Sequence, residues 1–463
     1  LVMIKMQEIR RCPFTGPPIR NLDIQNRLAL APNSVPHTQH VQHPLRGQSQ
    51  RITASVKRHV LARINGQRIH NGAVKSNLRK CQRQRGAIQP AAHNHDICIK
   101  THTPDMRQTL GLSIGHSAAT VSKIEPKGYL MSDTWLTATA SDLGRGIAAG
   151  DIDPIALTET YLDAAESHEF SMRIYTHVTY DRAMSEAKAA RARADENLRH
   201  SLLDGVPISW KDLVDTAGIE TKAGTNLLSG RIPTHDGECL QNATRAGLVC
   251  VGKTHMSELA FSGLGVNPIT ATPPCVNDHD AAPGGSSSGA GTSVAFNTAA
   301  AGIGSDTGGS VRIPAAWNDL VGLKTTATLV SLKGVVPLAE SFDTIGPLCR
   351  SVEDAAHLLG VLTGGTIPDL TNASLAGRHF AICKTSALDD LEPSVAQGFV
   401  TAVAKLANAG AKITELDIPF MPEALSPSSV LFTAEAYAEW KTELEATPEV
   451  MFPEILERFR IGL

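Results

Sequence analysis

Four short motifs in the sequence carry residue types that could do chemistry. Residues 247–254 match the GxxxxGK[ST] phosphate loop, and residues 285–289 match the G-x-S-x-G nucleophile elbow. Residues 185–188 match the S-x-x-K motif of β-lactamases. Residues 278–280 read Asp-His-Asp, which are residue types that can bind a metal ion. Each motif predicts a function only if its surroundings have the structure that the chemistry needs.

The surroundings of these four motifs do not fit. Residues 248–251 (Leu-Val-Cys-Val) predict a buried strand where a phosphate loop must be open. A polar loop containing Pro283 precedes residues 285–289, whereas a nucleophile elbow follows an apolar strand. The S-x-x-K residues lie on a charged predicted helix (181–199), and Asp-His-Asp is adjacent to no second cluster of ligands. We therefore expect neither an ATPase nor a metal centre, and no cofactor.

A fifth pattern is far longer. Residues 284–315 read GGSSSGAGTSVAFNTAAAGIGSDTGGSVRIPA. Lys211 lies in the segment Gly-Val-Pro-Ile-Ser-Trp-Lys-Asp-Leu at 205–213, and residues 342–347 read Phe-Asp-Thr-Ile-Gly-Pro. Together these segments resemble the amidase signature family, and the resemblance extends over about residues 131–420. It implies an amidase that hydrolyses a carbon–nitrogen amide bond to a carboxylate and ammonia or an amine.

The resemblance also assigns roles to individual residues. It implies that Ser310 is the nucleophile that forms an acyl-enzyme, that Lys211 is the base, and that Ser286 relays the proton between them. It further implies a cis peptide bond before Ser286. Ser287 and Ser288 are expected to give hydrogen-bonding support. The plainer interpretation, ordinary turn serines and a surface lysine, would be favoured for one serine alone but not for all three residues within matched segments.

The glycine turn before Ser310 suits this chemistry. Glycines let successive backbone N–H groups point at one spot, and such groups stabilise the oxyanion formed during acyl transfer. We therefore predict an oxyanion hole at Thr307, Gly308 and Gly309. Asp306 and Arg312 flank the turn and are expected to form an ion pair that braces it.

Lys211 must be neutral to act as a base. The ordinary pKa of lysine, near 10.4, has to fall by about three units for this, which corresponds to about 4 kcal/mol. Burial disfavours the charged ammonium and supplies a shift of that sign and size. The apolar segment 206–210 before Lys211 predicts a strand that delivers its side chain into the interior.

The elements that position these residues follow from alternating patterns. Ser141 is predicted to cap a short helix that ends at Gly150, Asp153-Pro154 to begin a second helix, and Ser351 to begin a later one. Strands alternate with helices along the chain, which favours an α/β fold. The prediction is an amidase-signature fold with a mixed central sheet covered by helices on both faces. The predicted strands are 206–210, 248–252 and 299–304, and the predicted helices between them are 236–246 and 288–297.

Charge divides the chain at about residue 130. Residues 1–130 hold 20 Lys and Arg against 5 Asp and Glu, whereas residues 131–463 hold 23 against 41. A basic nucleic-acid arm and an organelle transit peptide both remain open for the first segment. We favour a third interpretation, that residues 1–130 are disordered or not part of the native protein and that the amidase domain begins at Met131.

The partner class depends on which amidase this is. The family includes the A subunit of glutamyl-tRNA(Gln)/aspartyl-tRNA(Asn) amidotransferase, which hydrolyses glutamine and works with partner subunits. That subunit usually carries Lys-Pro-Thr-Tyr-Gly-like and Ser-Leu-Asp-Gln-like segments, where this chain has Lys-Thr-Thr-Ala-Thr at 324–328 and Ser-Phe-Asp-Thr at 341–344. These departures favour a stand-alone amidase acting on a small-molecule amide. A non-catalytic relative that binds a partner is disfavoured by the intact triad.

The remaining expectations concern location and length. Scattered cysteines and the lack of a long apolar run predict a cytoplasmic protein that binds no membrane and no nucleic acid directly, and a homodimer stays open. Members of the family continue well past the position of Leu463, and only 153 residues follow Ser310. The sequence therefore predicts an amidase domain at 131–463 that is incomplete at its C-terminus, and a chain that is poorly soluble or inactive.

Overall fold

Two β-sheets organise the residues that the structure, a computed structural model, describes, namely 3–5 and 132–463. These residues belong to one compact unit. The expectations for the rest of the basic segment 1–130 lie outside them. In chain order the strands are β1 (Met3–Lys5), β2 (Tyr175–Val178), β3 (Pro207–Lys211), β4 (Val249–Thr254), β5 (Ala301–Ser305), β6 (Val321–Gly322), β7 (Ile345–Cys349), β8 (His379–Lys384) and β9 (Lys412–Asp417).

The larger sheet has six strands in the order β2-β4-β3-β5-β7-β6. Its centre is parallel, because β3 pairs in parallel with both β4 and β5. Its margins are antiparallel, since β2 pairs with β4, and β7 pairs with β5 and β6, in that sense. The smaller sheet has the order β1-β8-β9. The predicted mixed sheet is therefore confirmed.

Helices follow most of these strands. In chain order from residue 132 they are α1 (Ser132–Thr137), α2 (Ala140–Ala149), α3 (Pro154–Ser167), α4 (Ser171–Ile174), α5 (Tyr180–Asp195), α6 (Glu238–Arg245), α7 (Ser288–Ala295), α8 (Arg312–Trp317), α9 (Val352–Thr363), α10 (Pro393–Asn408), α11 (Met421–Leu425), α12 (Ser428–Ala446) and α13 (Pro453–Arg460). None of the helices in the described part of the chain has the length and apolar character needed to cross a membrane.

Local capping rules explain two helix starts and miss a third. The side chains of Asp153 and Ser351 accept hydrogen bonds from the first turns of α3 and α9, as predicted. The prediction of Ser141 as a cap was wrong, because Thr139 caps α2. Ser141 is buried inside that helix, where its N–H and hydroxyl donate to Asp354 Oδ1 at 2.8 and 2.7 Å. This partner lies 213 residues away, so no local rule could have revealed it.

The core forms around the centre of the larger sheet. All five residues of β3, all six of β4 and all five of β5 are buried, which is expected of parallel strands covered by helices. Small residues on β5 let α7 approach closely, since a Cβ at Gly302 would lie 2.5 Å from the carbonyl oxygen of Ala290. This close approach brings the serine segment at the start of α7 against the sheet. The fold is α/β, as the sequence predicted.

Candidate active site

Lys211 and Ser305 lie at the carboxyl ends of the two neighbouring parallel strands β3 and β5. Parallel strands end at the same edge of a sheet, and such edges carry binding sites in α/β proteins. Lys211 Nζ donates a hydrogen bond of 2.7 Å to Ser305 Oγ. Both residues are buried. The pairing of β3 with β5 therefore positions the Lys211 amine beside the Ser305 hydroxyl.

Ser286 completes this arrangement from the loop that precedes α7. Lys211 Nζ donates a second hydrogen bond, of 2.6 Å, to Ser286 Oγ. The peptide bond between Gly285 and Ser286 is cis. The N–H of Ser257 donates to the Ser286 carbonyl at 3.1 Å, and Gly285 N–H donates to a carbonyl at 2.8 Å. The backbone thus holds the serine on both sides.

Burial sets the protonation state of Lys211. Its side chain is completely buried, and this desolvation lowers its pKa to about 7, whereas the charges of Asp343 and Asp306 act in the opposite direction. A substantial fraction of the lysine is therefore neutral near pH 7. A neutral amine that contacts two hydroxyl groups can accept a proton from either of them.

Ser310 lies on a turn that is organised by Asp306. The carboxylate of Asp306 accepts hydrogen bonds from Gly309 N–H at 2.7 Å and Val311 N–H at 3.1 Å. Arg312 also donates to it from Nε and Nη2, both at 3.0 Å. Gly309 has φ 126°, a conformation that residues with a Cβ rarely adopt. One carboxylate therefore fixes the backbone on both sides of Ser310.

The predicted oxyanion donors differ in their availability. In the described part of the chain, the N–H groups of Thr307, Gly308 and Ser310 have no hydrogen-bond partner. Gly309 was predicted among the donors, but its N–H is already bound to Asp306. The side chain of Asp306 competes for this group, which the sequence pattern alone does not indicate. The free donors are thus Thr307, Gly308 and Ser310.

The predicted site residues are not all joined by hydrogen bonds. Within the described residues, the hydroxyl of Ser310 makes no hydrogen bond, so the Ser286 side chain is hydrogen-bonded to Lys211 but not to Ser310. The Ser310 residue is 7% exposed. Its carbonyl accepts a hydrogen bond from Ser287 N–H at 3.3 Å.

The side chains of Ser287 and Ser288 form hydrogen bonds with the backbone of neighbouring segments. Ser287 Oγ donates to the Ser305 carbonyl at 3.1 Å and accepts from Ser305 N–H at 3.2 Å. These two hydrogen bonds attach the loop of residues 284–287 to β5. Ser288 Oγ donates to the His255 carbonyl at 3.4 Å. Both side chains are buried.

Ser305 is the residue at this site that the sequence analysis missed. It lies five positions before Ser310, within the same long pattern, and a hydroxyl at the carboxyl end of a buried small-residue strand was the available signal. The pattern did not show that β5 lies beside β3, and without that adjacency Ser305 has no connection to Lys211.

Two of the four short motifs lie largely within regular secondary structure, whereas residues 285–289 contain Ser286 of the candidate site. Residues 249–254 form the buried strand β4, in which Lys253 Nζ pairs with Asp212 Oδ1 at 3.0 Å. Residues 185–188 lie within α5. Residues 266–284 contain no strand, so the G-x-S-x-G motif at 285–289 does not follow one. Within the described residues no group of three or more His, Cys, Asp and Glu side chains has the arrangement of a metal site.

Comparison with known proteins adds independent evidence. Residues 156–459 match the Amidase family. The chain is 41% identical over 235 residues to the A subunit of glutamyl-tRNA(Gln) amidotransferase from Anaeromyxobacter dehalogenans, a match that covers 50% of this chain and 47% of that protein. It is 35% identical over 319 residues to the protein of the same name from Chloroflexus aurantiacus, covering 65% of this chain and 64% of that protein. The chain therefore spans less than two thirds of the length of these relatives.

Solved structures agree on the fold. A crystal structure of an amidase superposes with a TM-score of 0.65 at 30% identity, covering 70% of this chain and 74% of that chain. The native peptide amidase from Stenotrophomonas maltophilia superposes with a TM-score of 0.61 at 28% identity, covering 70% and 75%. The match to the family extends over more than half of the sequence and includes all the residues of the site. This chain belongs to the amidase family.

Proposed function

We propose that this chain hydrolyses a carboxamide C–N bond, with Ser310 as the nucleophile, Ser286 as the proton relay and Lys211 as the base. The observation that carries the proposal is the buried Lys211 amine, which lies 2.6 Å from Ser286 Oγ and has a pKa lowered to about 7. A lysine held neutral in this way is the activated base that a serine nucleophile requires. All three residues lie within residues 156–459, which match the Amidase family.

The chemistry proceeds in two halves. Ser310 Oγ attacks the amide carbonyl carbon while its proton passes to Ser286 and the proton of Ser286 passes to Lys211. The carbonyl oxygen becomes an oxyanion, which the N–H groups of Thr307, Gly308 and Ser310 stabilise. Collapse of this intermediate breaks the C–N bond, and Lys211 returns a proton through Ser286 to the leaving nitrogen. Water then attacks the acyl ester by the same route and releases the carboxylate.

Two substrate classes have specific support. A small-molecule amide without a partner protein is favoured by the sequence departures at 324–328 and 341–344. Glutamine, hydrolysed by the chain as the A subunit of an amidotransferase, is supported by relatives that are named as such at 35% to 41% identity. Partner subunits are needed only under this second proposal. The two differ in whether the chain alone turns over simple amides.

An amide panel tests the proposal. Purified full-length protein is incubated with short aliphatic and aromatic amides and with glutamine, and released ammonia is measured, with and without amidotransferase partner subunits. Hydrolysis of simple amides by the chain alone supports the first substrate class, and glutamine hydrolysis that depends on the partners supports the second. Folded protein that releases no ammonia under any condition would contradict the proposed function.

A further inference from the structure

Two Asp-Thr pairs face each other across the antiparallel strands β5 and β7, just beyond Ser305 and Ile345, which are paired in the ladder. The first pair is Asp306-Thr307, at the start of the oxyanion turn, and the second is Asp343-Thr344. Asp306 N–H donates to the Thr344 carbonyl at 2.8 Å, and Thr344 donates back to the Asp306 carbonyl from N–H at 3.1 Å and from Oγ1 at 2.7 Å. The residues before β7 therefore continue the sheet into the turn that bears Ser310.

The side chains of the same pairs form a second connection. Thr307 Oγ1 donates a short hydrogen bond to Asp343 Oδ1. Asp343 Oδ2 accepts from Leu338 N–H at 2.8 Å and Ala339 N–H at 3.1 Å. The carboxyl group of Asp343 thus accepts three hydrogen bonds, which favour its ionised form against the burial that raises its pKa. It joins Thr307 to the loop of residues 337–343.

That loop is itself held by α12. Trp440 Nε1 donates to the Pro337 carbonyl at 3.0 Å, and Ser341 N–H donates to Glu435 Oε1 at 2.8 Å. Asp343 is buried, and its hydrogen bond to Thr307 is partly buried. A displacement of Asp343 would therefore move Thr307, whose free N–H is a proposed oxyanion donor.

The charge of Asp343 also acts on Lys211. The two side chains form no direct ion pair among the described residues, but Asp343 is the larger of the two acidic influences that raise the pKa of Lys211 against the effect of burial. The other is Asp306, whose charge is already paired with Arg312. The charge of Asp343 also acts on Glu439 of α12, where it contributes to raising the pKa of that carboxyl group after burial and the charges of three other glutamates. Among the described residues, Asp343 is thus the acidic group that acts on Lys211 without having an ion-pair partner of its own.

We propose that Asp343 is a positioning residue for the amide hydrolysis: it fixes the oxyanion turn through Thr307 and compensates the charge that Lys211 gains. This inference rests on the proposed function. It separates two contributions of one side chain, a hydrogen bond and a charge, and each has its own consequence for the reaction.

The test compares Asp343→Asn with Thr307→Val in the full-length chain. The readout is the pH dependence of covalent labelling of Ser310 by a fluorophosphonate, together with kcat and KM for an amide that the wild type hydrolyses. In the wild type the labelling rate should rise with pH as Lys211 loses its proton, and this rise is called the acid limb. Asp343→Asn removes a charge that raises the pKa of Lys211, so the acid limb should move downward by about one pH unit. Thr307→Val keeps the charge, so it should leave the limb in place while lowering kcat about tenfold with little change in KM.

A matched control separates this effect from general destabilisation. Asp354 is also a buried, hydrogen-bonded aspartate, but its partner is Ser141, away from the site. Asp354→Asn should lower the thermal midpoint and leave the acid limb where the wild type has it. An Asp343→Asn protein with an unmoved limb, or, should that variant not fold, a Thr307→Val protein with unchanged kcat, would overturn the inference. A folded wild type that does not label at Ser310 would instead refute the proposed function itself.

Discussion

At the scale of single residues, the site depends on one buried amine. Lys211 has no carboxylate within ion-pair distance among the described residues, and its two partners are the hydroxyls of Ser286 and Ser305. A hydroxyl stabilises the ammonium far less than a carboxylate would, so burial dominates and a substantial fraction of the amine is unprotonated at neutral pH. The sequence analysis could assign proposed roles to Lys211, Ser286 and Ser310 because each lies in a long matched segment.

The base should be visible in the pH dependence of the rate. Lys211 is protonated and inactive below its pKa of about 7, so the rate should rise with pH through an apparent pKa near that value. Lys211→Met keeps the apolar stem and removes the base, so it should lower kcat by about 10²- to 10⁴-fold. Lys253→Met removes another fully buried lysine, the partner of Asp212, and should reduce stability without moving the acid limb. A Lys211→Met enzyme with most of its activity would show that the base is another group.

Ser305 should matter less than Ser286. Ser305→Ala removes one of the two hydroxyls that accept hydrogen bonds from Lys211 Nζ and leaves Ser286, the proposed relay, in place. A hydrogen bond of this kind contributes about 1 kcal/mol, so kcat should fall about 3- to 10-fold. The measurement is kcat at pH 8, with Ser286→Ala as the comparison, which should lose far more. Equal losses for the two variants would mean that Ser305 takes part in proton transfer.

At the scale of elements, the turn of residues 306–312 is the part that the strands alone do not fix. Two of its backbone N–H groups, those of Gly309 and Val311, donate to the Asp306 carboxylate at 2.7 and 3.1 Å. The sequence predicted an ion pair between Asp306 and Arg312, but the structure adds that the same carboxylate binds the main chain. The arginine side chain of this pair is half exposed, so the backbone contacts contribute more than the pair.

Asp306→Asn and Arg312→Ala should therefore differ. The remaining carbonyl oxygen of asparagine can still accept a hydrogen bond from Gly309 N–H, but its amide nitrogen cannot accept those from Val311 N–H and Arg312 Nε. A buried donor left without a partner costs about 1–3 kcal/mol. Arg312→Ala leaves every backbone hydrogen bond in place and should cost less than about 1 kcal/mol. Chemical denaturation and kcat measure both effects. A larger loss for Arg312→Ala would show that the ion pair, not the backbone contacts, holds the turn.

The elements themselves were largely predictable, whereas their arrangement was not. The apolar segments that became β3, β4 and β5 and the caps at Asp153 and Ser351 follow from local rules. The strand order β2-β4-β3-β5-β7-β6 and the adjacency of Ser305 to Lys211 depend on contacts between distant parts of the chain. The engagement of Gly309 N–H by Asp306 was missed for a related reason, since a glycine turn does not show which of its donors a side chain already occupies.

At the scale of the whole molecule, Glu258 connects three distant segments. Thr225 Oγ1 donates to its Oε1 at 2.8 Å, and Phe452 N–H donates to its Oε2 at 2.9 Å. The adjacent Ser257 binds the Ser286 carbonyl, so this junction leads directly to the site. Burial raises the pKa of Glu258 to about 7, against the opposing effect of these hydrogen bonds.

This raised pKa predicts a pH dependence of stability. The folded chain holds the Glu258 proton up to about pH 7, whereas the unfolded chain loses it near its ordinary pKa of 4.5. The contribution of protonated Glu258 to the free energy of unfolding is thus fully present below pH 4.5 and is lost as the pH rises through 7. Its upper limit is about 3 kcal/mol. Glutamine does not titrate. The free energy of unfolding of the wild type should therefore fall relative to that of Glu258→Gln as the pH rises from 5 to 8. A difference that does not change with pH would contradict this account of Glu258.

The assignment of Ser310 as the nucleophile is the central claim, and covalent labelling tests it most directly. The full-length protein is treated with a fluorophosphonate, digested, and the modified residue is identified by mass spectrometry. Ser287 is the informative competitor, because its hydroxyl is engaged with Ser305 on β5 and should not react. We predict modification of Ser310 alone, abolished by Ser310→Ala and slowed in Lys211→Met. Modification of Ser287 in place of Ser310 would contradict the account and assign the chemistry to the nucleophile-elbow motif.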